Sequence, residues 1–275
     1  MDRRLIILTL ALLVIALAFL VNKQMTTGFF LDKGVELRGG NLITVTFEDA
    51  SFSQVAQIAD NLRKENVVAY PVTTAIGTQL SIEAAEADLD PLIETVNNTA
   101  TIRDYDVSRI DPKISASVIT EIIKGLVFAF LAMAAIIFLL FRNPIPSIAV
   151  VLAAFSDLVI TCFIMNLAGI QMNMATFTAL LMLLGYSVDT DILLTTRTLK
   201  ERGNFSQNYK SALKTGLTMT AVSTVALSTV IFVAGASSIF GQLAIVIIIG
   251  LLVDIPNTWI QNAVILDWYK DRFHR

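Results

Sequence analysis

Two aspartates stand inside an apolar segment in the second half of the chain, where charged side chains are unexpected. The segment begins near Met174, and Gly185–Arg197 reads G-Y-S-V-D-T-D-I-L-L-T-T-R, with Asp189 and Asp191 before any basic residue. About 20 predominantly apolar residues are enough to cross a bilayer as a helix. A carboxylate at the centre of such a helix costs roughly 2.5–3.5 kcal/mol on insertion scales, so both should face protein or water. The pair is the first candidate for chemistry.

Two further aspartates, Asp157 and Asp254, lie near the middle of other apolar segments, and no Lys, Arg or His stands near mid-membrane to neutralise them. Asn257, Thr258 and Gln261 follow Asp254 on one helical stripe of hydrogen-bonding groups. Pro256 cannot donate a backbone hydrogen bond, so the helix should kink beside Asp254. A carboxylate in a low-dielectric medium favours its neutral form and can bind a proton where water reaches it. The four aspartates are therefore candidates for a proton relay.

A purely structural interpretation remains open for these aspartates. Hydroxyl and amide side chains in membrane helices commonly join neighbouring helices, and a buried Asp can be a packing partner for them. Positions two apart in a straight helix point in nearly opposite directions, so Asp189 and Asp191 cannot both face one cavity. Asp189 shares its face with Gly185 and Tyr186. We favour Asp189 as the relay residue and expect Asp191 to tolerate replacement better.

The composition is that of a multi-pass membrane protein. Apolar residues make up 55% of the 275 and charged residues 16%, against roughly 45–50% and 25% in soluble domains. The net charge of −3 argues against a nucleic-acid partner. With one cysteine, Cys162, and one histidine, His274, an intrachain disulfide and a His/Cys metal site are both excluded. No nucleophile–base pair or phosphate loop stands out, so we expect neither an enzyme nor a cofactor.

Six apolar segments are long enough to span a membrane, and a polar region separates the first from the others. The predicted spans are Leu5–Val21, Ile122–Phe141, Ser147–Ala168, Met174–Thr195, Gly216–Ala234 and Phe240–Leu266. The chain then divides into a first transmembrane helix (1–22), an external domain (23–117) and a five-helix transmembrane region (118–275).

The distribution of basic residues predicts the orientation of these spans. Both termini and the loops 142–146 and 196–215 carry Lys or Arg, whereas the short loops 169–173 and 235–239 carry none. Cytoplasmic loops are the ones enriched in basic residues. We therefore expect a multi-pass protein of the cell membrane with both termini in the cytoplasm and the domain over 23–117 outside.

The region 23–117 has the pattern of a small α+β domain. Strands are expected at 41–48, 67–74, 79–84 and 103–110, with one helix after the first strand and another before the last. The order β-α-β-β-α-β is that of a ferredoxin-like fold. The predicted fold class is thus a six-helix membrane bundle with an extracytoplasmic ferredoxin-like domain inserted between spans 1 and 2.

A glycine pair opens this external domain at Arg38-Gly39-Gly40. We favour a tight turn that needs positive φ before the first strand. A ligand or peptide contact is the alternative.

Three stretches resemble the SecD/SecF family, accessory membrane subunits of the Sec protein translocase in the resistance-nodulation-division superfamily. Gly185–Arg197 is similar to the family's fourth-span motif, V-E-L-R-G-G-N at Val35–Asn41 to its R-G-G turn, and Gly250–Leu266 to the last span of archaeal members. SecD chains carry a larger external region, so the short domain here resembles the SecF branch. Two positions depart from the bacterial pattern. Thr190 stands where bacterial SecF chains commonly carry an acid, and Phe240 where they tend to carry a basic residue.

The resemblance implies a function as well as a fold. Family members couple proton movement through membrane aspartates to motion of external domains, and a SecD-like subunit would supply a second six-span half. The implied partners are that subunit, the Sec channel, translocating polypeptides and membrane lipid. A half-size proton-driven exporter of lipids or small molecules is the alternative. The relay candidates are Asp157, Asp189, Asp191 and Asp254, supported by Gly185, Tyr186, Arg197, Asn257 and Gln261.

Overall fold

Six membrane-length helices and one small sheet make up the fold. The structure is a computed structural model that describes residues 4–48, 50–64, 68–74, 77–84, 89–97, 99–110, 112–201, 204–236 and 238–273. In chain order its elements are α1 (Leu5–Thr27), α2 (Val35–Arg38), β1 (Gly40–Phe47), α3 (Phe52–Lys64), β2 (Val68–Thr74), β3 (Gly77–Ala84), α4 (Leu89–Asn97), β4 (Ile102–Ile110), α5 (Pro112–Phe141), α6 (Pro144–Leu167), α7 (Met174–Leu199), α8 (Phe205–Ala234), α9 (Ile239–Pro256), a π-helical segment (Asn257–Asn262) and α10 (Ala263–Phe273).

The predicted six-span bundle is confirmed. The helices α1, α5, α6, α7 and α8, and the continuous run from α9 to α10, are the six long and apolar enough to cross a membrane within the residues described.

These helices run longer than the apolar segments that predicted them. α7 continues to Leu199 and α8 begins at Phe205, so most of the stretch predicted as a loop over 196–215 is helical. Polar residues such as Gln, Lys and Arg propagate a helix nearly as well as Leu, so a helix need not end where the apolar pattern ends. Arg197 of α7 donates to Ser211 Oγ of α8 at 2.7 Å and joins the two extensions.

The inserted domain has the predicted order of strands and helices. Its four strands form an antiparallel sheet in the order β2-β3-β1-β4. Ile43, Val45 and Phe47 of β1 are buried, whereas the residues between them are half-buried, because alternate side chains of a strand point to opposite faces. These three pack with Val55 and Leu62 of α3 in a core of their own. The domain therefore holds a hydrophobic core separate from that of the bundle.

The segment that leads from α1 into this domain is tied to the turn between α6 and α7. The Met172 N–H donates to the Asp32 carbonyl at 2.7 Å, and the Gly34 N–H donates to the Met172 carbonyl at 2.9 Å. Lys23 of α1 adds an ion pair, with its ammonium 2.7 Å from the Asp32 carboxylate. The start of the inserted domain is thereby fixed to the C-terminal end of α6 and the N-terminal end of α7.

The spans differ in how far their own bundle covers them. In α6, 67% of the most apolar window is buried, against 44% in α7 and in the last span, 11% in α5 and 6% in α8. α6, α7 and α9 pack against one another and share the main core cluster. Asp157, Asp191 and Asp254 are thus carried by the most covered helices of the bundle.

Candidate functional site

Three of the four membrane aspartates come together in the middle of the bundle. Asp157 of α6, Asp191 of α7 and Asp254 of α9 are each 0% exposed. Their carboxyl groups are near enough to interact electrostatically. Within the ranges that the structure describes, no basic side chain pairs with any of them. The cluster is therefore a buried group of acids without a counter-charge.

The π-helical segment after Pro256 supplies polar partners for these acids. Pro256 has no N–H to continue the i→i−4 ladder, and the chain proceeds as a π-helix, a wider turn that is frequent at functional sites. At the position where a kink was predicted beside Asp254, the helix therefore forms a widened π-helical turn. Its inward residues are all 0% exposed, namely Asn257, Thr258, Gln261 and Asn262.

Asp157 has two hydrogen-bond donors of its own. Asn257 Nδ2 donates to Oδ1 at 2.7 Å, and Ser187 Oγ of α7 donates to Oδ2 at 2.5 Å. Gln261, the second amide expected near the acids, donates instead to Ser156 Oγ at 3.1 Å, one residue before Asp157. The amides of Asn257 and Gln261 thus hydrogen-bond the last span to α6, and Asn257 orients the Asp157 carboxyl group.

Asp191 and Asp254 share a hydroxyl. Thr258 Oγ1 lies 2.9 Å from Asp191 Oδ1 and 2.8 Å from Asp254 Oδ1. Asn262 Nδ2 also donates to Asp191 Oδ1, at 2.7 Å. Thr190 Oγ1 lies 2.9 Å from Asp254 Oδ2. Where bacterial relatives were expected to carry an acid, this chain therefore has a hydroxyl group in contact with Asp254. The sequence pattern carries no signal for Asn262, since in an α-helix this residue would lie roughly 80° from Asp254.

The fourth aspartate, Asp189, lies outside this cluster. It is exposed on α7, as are Gly185 and Tyr186 on the same face. The two aspartates of the motif do point to opposite sides of the helix. The preference for Asp189 as the relay residue stays a prediction, and the buried cluster contains Asp191 instead. An outward carboxylate at bilayer depth calls for polar cover from another molecule.

The Arg38-Gly39-Gly40 stretch forms a turn that packs on the sheet. Gly39 and Gly40 have φ of 80° and 134°, values that L side chains rarely adopt. The Arg38 guanidinium lies 3.5 Å from the Glu83 carboxylate of β3, which also accepts the Val35 N–H at 3.0 Å. These contacts account for the three residues as a structural turn.

Metal-binding side chains do not converge in the residues described: no group of three or more His, Cys, Asp or Glu could hold a metal ion there. Cys162 is a buried free thiol on α6. The chemistry that the site offers is the binding and exchange of protons at carboxyl groups, with hydroxyl and amide groups as their hydrogen-bond partners.

Comparison with known proteins gives the family. The family model described as protein export membrane protein SecD/SecF, C-terminal, matches residues 91–272. The chain is 35% identical over 270 residues to a protein-export membrane protein SecF of Pyrococcus furiosus, covering 98% of this chain and 91% of the relative. It is 38% identical over 276 residues to the SecF of Methanothermobacter thermautotrophicus, covering 98% and 93%. The chain belongs to the SecD/SecF family.

Solved structures share its fold. The crystal structure of SecDF from Thermus thermophilus, a translocon-associated membrane protein, superposes with a TM-score of 0.68 at 17% identity, over 98% of this chain and 38% of that one. A super-membrane-facing form of SecDF gives a TM-score of 0.59 at 19% identity, over 96% and 38%. The chain thus corresponds to less than half of a SecDF chain.

Proposed function

We propose that this chain is a SecF-type accessory subunit of the Sec translocase, and that it acts with a SecD-like subunit to promote protein export in a proton-linked way. The observation that carries proton linkage is the burial of Asp157, Asp191 and Asp254 together, without a basic partner in the part of the bundle described. Neighbouring carboxylates in low dielectric cannot all be ionised, so such a cluster holds protons. A change in its protonation changes the charge that α6, α7 and α9 must accommodate.

The SecD-like partner is supported by surfaces that this bundle leaves uncovered. Asp189, Gly185 and Tyr186 lie on an exposed face of α7, and nothing lies within 4 Å of a Cβ built on Gly185. Glycine lets another helix approach closely, and a carboxylate needs a polar neighbour in the bilayer. α8 also has few residues buried by its own chain. Copurification with a SecD-like subunit and the Sec channel would separate this proposal from a half-size exporter.

The proposed orientation places the external domain outside and both termini in the cytoplasm. Met172 pairs with the segment leading into the external domain, so the 169–173 loop lies on the same side as that domain. That loop has no basic residue, whereas Arg197, Lys200 and Lys270 lie at the opposite helix ends. In this orientation the domain is available to polypeptides that leave the channel.

The test is export of a reporter protein in cells depleted of the native copy, normalised to the membrane abundance of each variant. We expect Asp191→Asn and Asp254→Asn to lose export at normal abundance, because Asn keeps the hydrogen bonding but cannot titrate. Asp191→Glu should retain part of it. Asp106→Asn, an exposed acid of β4, is the matched control. Full export by both cluster variants would end the proton-linked proposal.

A further inference from the structure

Thr258 lies between two carboxyl groups with a single hydroxyl hydrogen to share. Its Oγ1 is 2.9 Å from Asp191 Oδ1 and 2.8 Å from Asp254 Oδ1. Both separations are hydrogen-bond distances. A hydroxyl donates one hydrogen and otherwise accepts, and an ionised carboxylate only accepts. If both acids were ionised, Thr258 could donate its hydrogen to only one of them. The other contact would then bring two acceptor oxygens together with no hydrogen between them, so one of the acids carries a proton.

The surrounding donors identify Asp254 as the protonated acid. Asp191 Oδ1 also receives the Asn262 amide at 2.7 Å, a contact that favours an ionised acceptor. Asp254 receives no amide among its contacts in the described ranges, where its partners are the hydroxyls of Thr190 and Thr258 and the Asp157 carboxyl. One of them, Thr190 Oγ1, is also 2.8 Å from the Ser187 carbonyl, which competes for its hydrogen.

The third acid of the cluster is satisfied without this proton. Asp157 receives an amide from Asn257 and a hydroxyl from Ser187, one on each carboxyl oxygen. Two donors suit an ionised carboxylate. The ionisable groups that face Asp254 from the packed helices are therefore Asp157 of α6 and Asp191 of α7, and each of them receives an amide N–H.

We propose that Thr258 relays a proton between Asp254 and Asp191, a step that rests on the proton-linked function proposed above. In the starting state of this relay, the Asp254 O–H donates to Thr258 Oγ1, and the Thr258 O–H donates to Asp191 Oδ1. In the transfer, the Thr258 hydrogen moves to Asp191 while the Asp254 hydrogen moves to Thr258. Asp254 is left as a carboxylate, Asp191 becomes a carboxylic acid, and the threonine hydroxyl is restored.

Asp191 keeps one carboxyl oxygen that takes no part in this transfer. Asp191 Oδ2 has no hydrogen-bond partner in the portion described, and neither has the buried hydroxyl of Thr195, one turn further along α7. Ser187, which contacts Asp157, lies about 6 Å before Asp191 on the same helix. The acids are thus arranged from the middle of α7 toward the end that carries Arg197.

Matched threonine variants test the relay. The complex with the SecD-like subunit is purified into liposomes that contain a pH-sensitive dye, and proton entry is followed after a pH gradient is imposed. Thr258→Val keeps the side-chain shape without the hydroxyl and should slow proton entry by about 10²-fold, the lower range for a lost proton-transfer group. Thr258→Ser keeps the hydroxyl and should retain most of the rate. Thr198→Val is the control, because that buried hydroxyl bonds to the Leu194 carbonyl at 2.8 Å and contacts no acid.

Infrared spectroscopy of the same complexes locates the proton independently of transport. The C=O band of a protonated carboxylic acid should be present in the unmodified complex, absent in Asp254→Asn and retained in Asp191→Asn. Thr258→Val should shift this band, because the acid loses its acceptor.

Three outcomes would overturn the relay. They are unchanged proton entry in Thr258→Val, equal loss in Thr258→Ser and Thr258→Val, and a band that survives Asp254→Asn but disappears in Asp191→Asn. If the unmodified complex admits no protons at all, the proposed function fails, while the infrared assignment still decides where the proton resides.

Discussion

Asp189 and Asp191 lie two residues apart on α7 and have opposite surroundings: Asp191 is fully buried among polar side chains, whereas Asp189 is exposed. The 3.6-residue repeat of the helix separates them by more than half a turn. Asp191 can therefore exchange protons with the buried acids, while Asp189 is available to a second subunit. Replacement of Asp191 should therefore impair export, and replacement of Asp189 should impair association with the SecD-like subunit.

We expect Asp191→Asn to assemble normally and lose export, because the buried site keeps its hydrogen bonds but not its titration. Asp189→Ala should instead lower the amount of SecD-like subunit that copurifies, because the outward carboxyl would lose its polar partner. The measurement is reporter export beside quantitative copurification from the same membranes. Identical profiles for the two variants would contradict this division.

Gly216→Ala should destabilise the bundle, because a Cβ at this position of α8 would overlap the rigid indole of Trp259. Overpacking of this kind costs about 1–3 kcal/mol. Thermal unfolding of the purified chain in detergent would measure it, and Trp259→Ala in the same chain should recover part of the loss. The control is Gly125→Ala, whose Cβ would meet Phe177 at an ordinary 3.6 Å. An equal melting temperature for Gly216→Ala and the control would refute the packing argument.

The excised segment 30–112 should fold alone as a soluble α+β unit, because its core is separate from the core of the bundle. Ile43→Ala should lower its free energy of unfolding by about 2–5 kcal/mol, as expected for a fully buried aliphatic side chain. Thr44→Ala, half-buried on the other face of β1, should change it far less. Circular dichroism during urea unfolding is the measurement, and a chain without a cooperative transition would count against independent folding.

Cysteines at exposed loop positions should report the orientation. In a Cys162→Ala background, Ala168→Cys and Ala236→Cys should react with impermeant thiol reagents added outside intact cells, since both sites are exposed in loops without basic residues. Ser206→Cys, exposed at the opposite end of the bundle, should react only after lysis. Labelling of Ser206→Cys in intact cells would reverse the topology.

The length and period of apolar residues were enough to predict the six spans and the external β-α-β-β-α-β domain, because both follow from local patterns. The composition of the acid cluster was not predictable in this way. Which face of α7 turns inward depends on non-local packing, such as Leu183 against Gly250, where a Cβ would overlap the leucine side chain. Thr258 was already on the polar stripe that follows Asp254, whereas the contact of Asn262 with Asp191 depends on the π-helical turn, whose form Pro256 alone does not specify.

The pairing of Met172 with the segment that enters the inserted domain connects that domain mechanically to α7. A chain under tension on the external domain would pull on the hydrogen bonds at Met172 and so on the outer end of α7, where Asn173 Oδ1 accepts the Thr176 N–H at 2.9 Å. From Met174 to Asp191 this rigid helix is about 26 Å long. In the proposed orientation, a load on the inserted domain and the charge of Asp191 would act on the same helix, so tension on an exported chain would bias the protonation of Asp191.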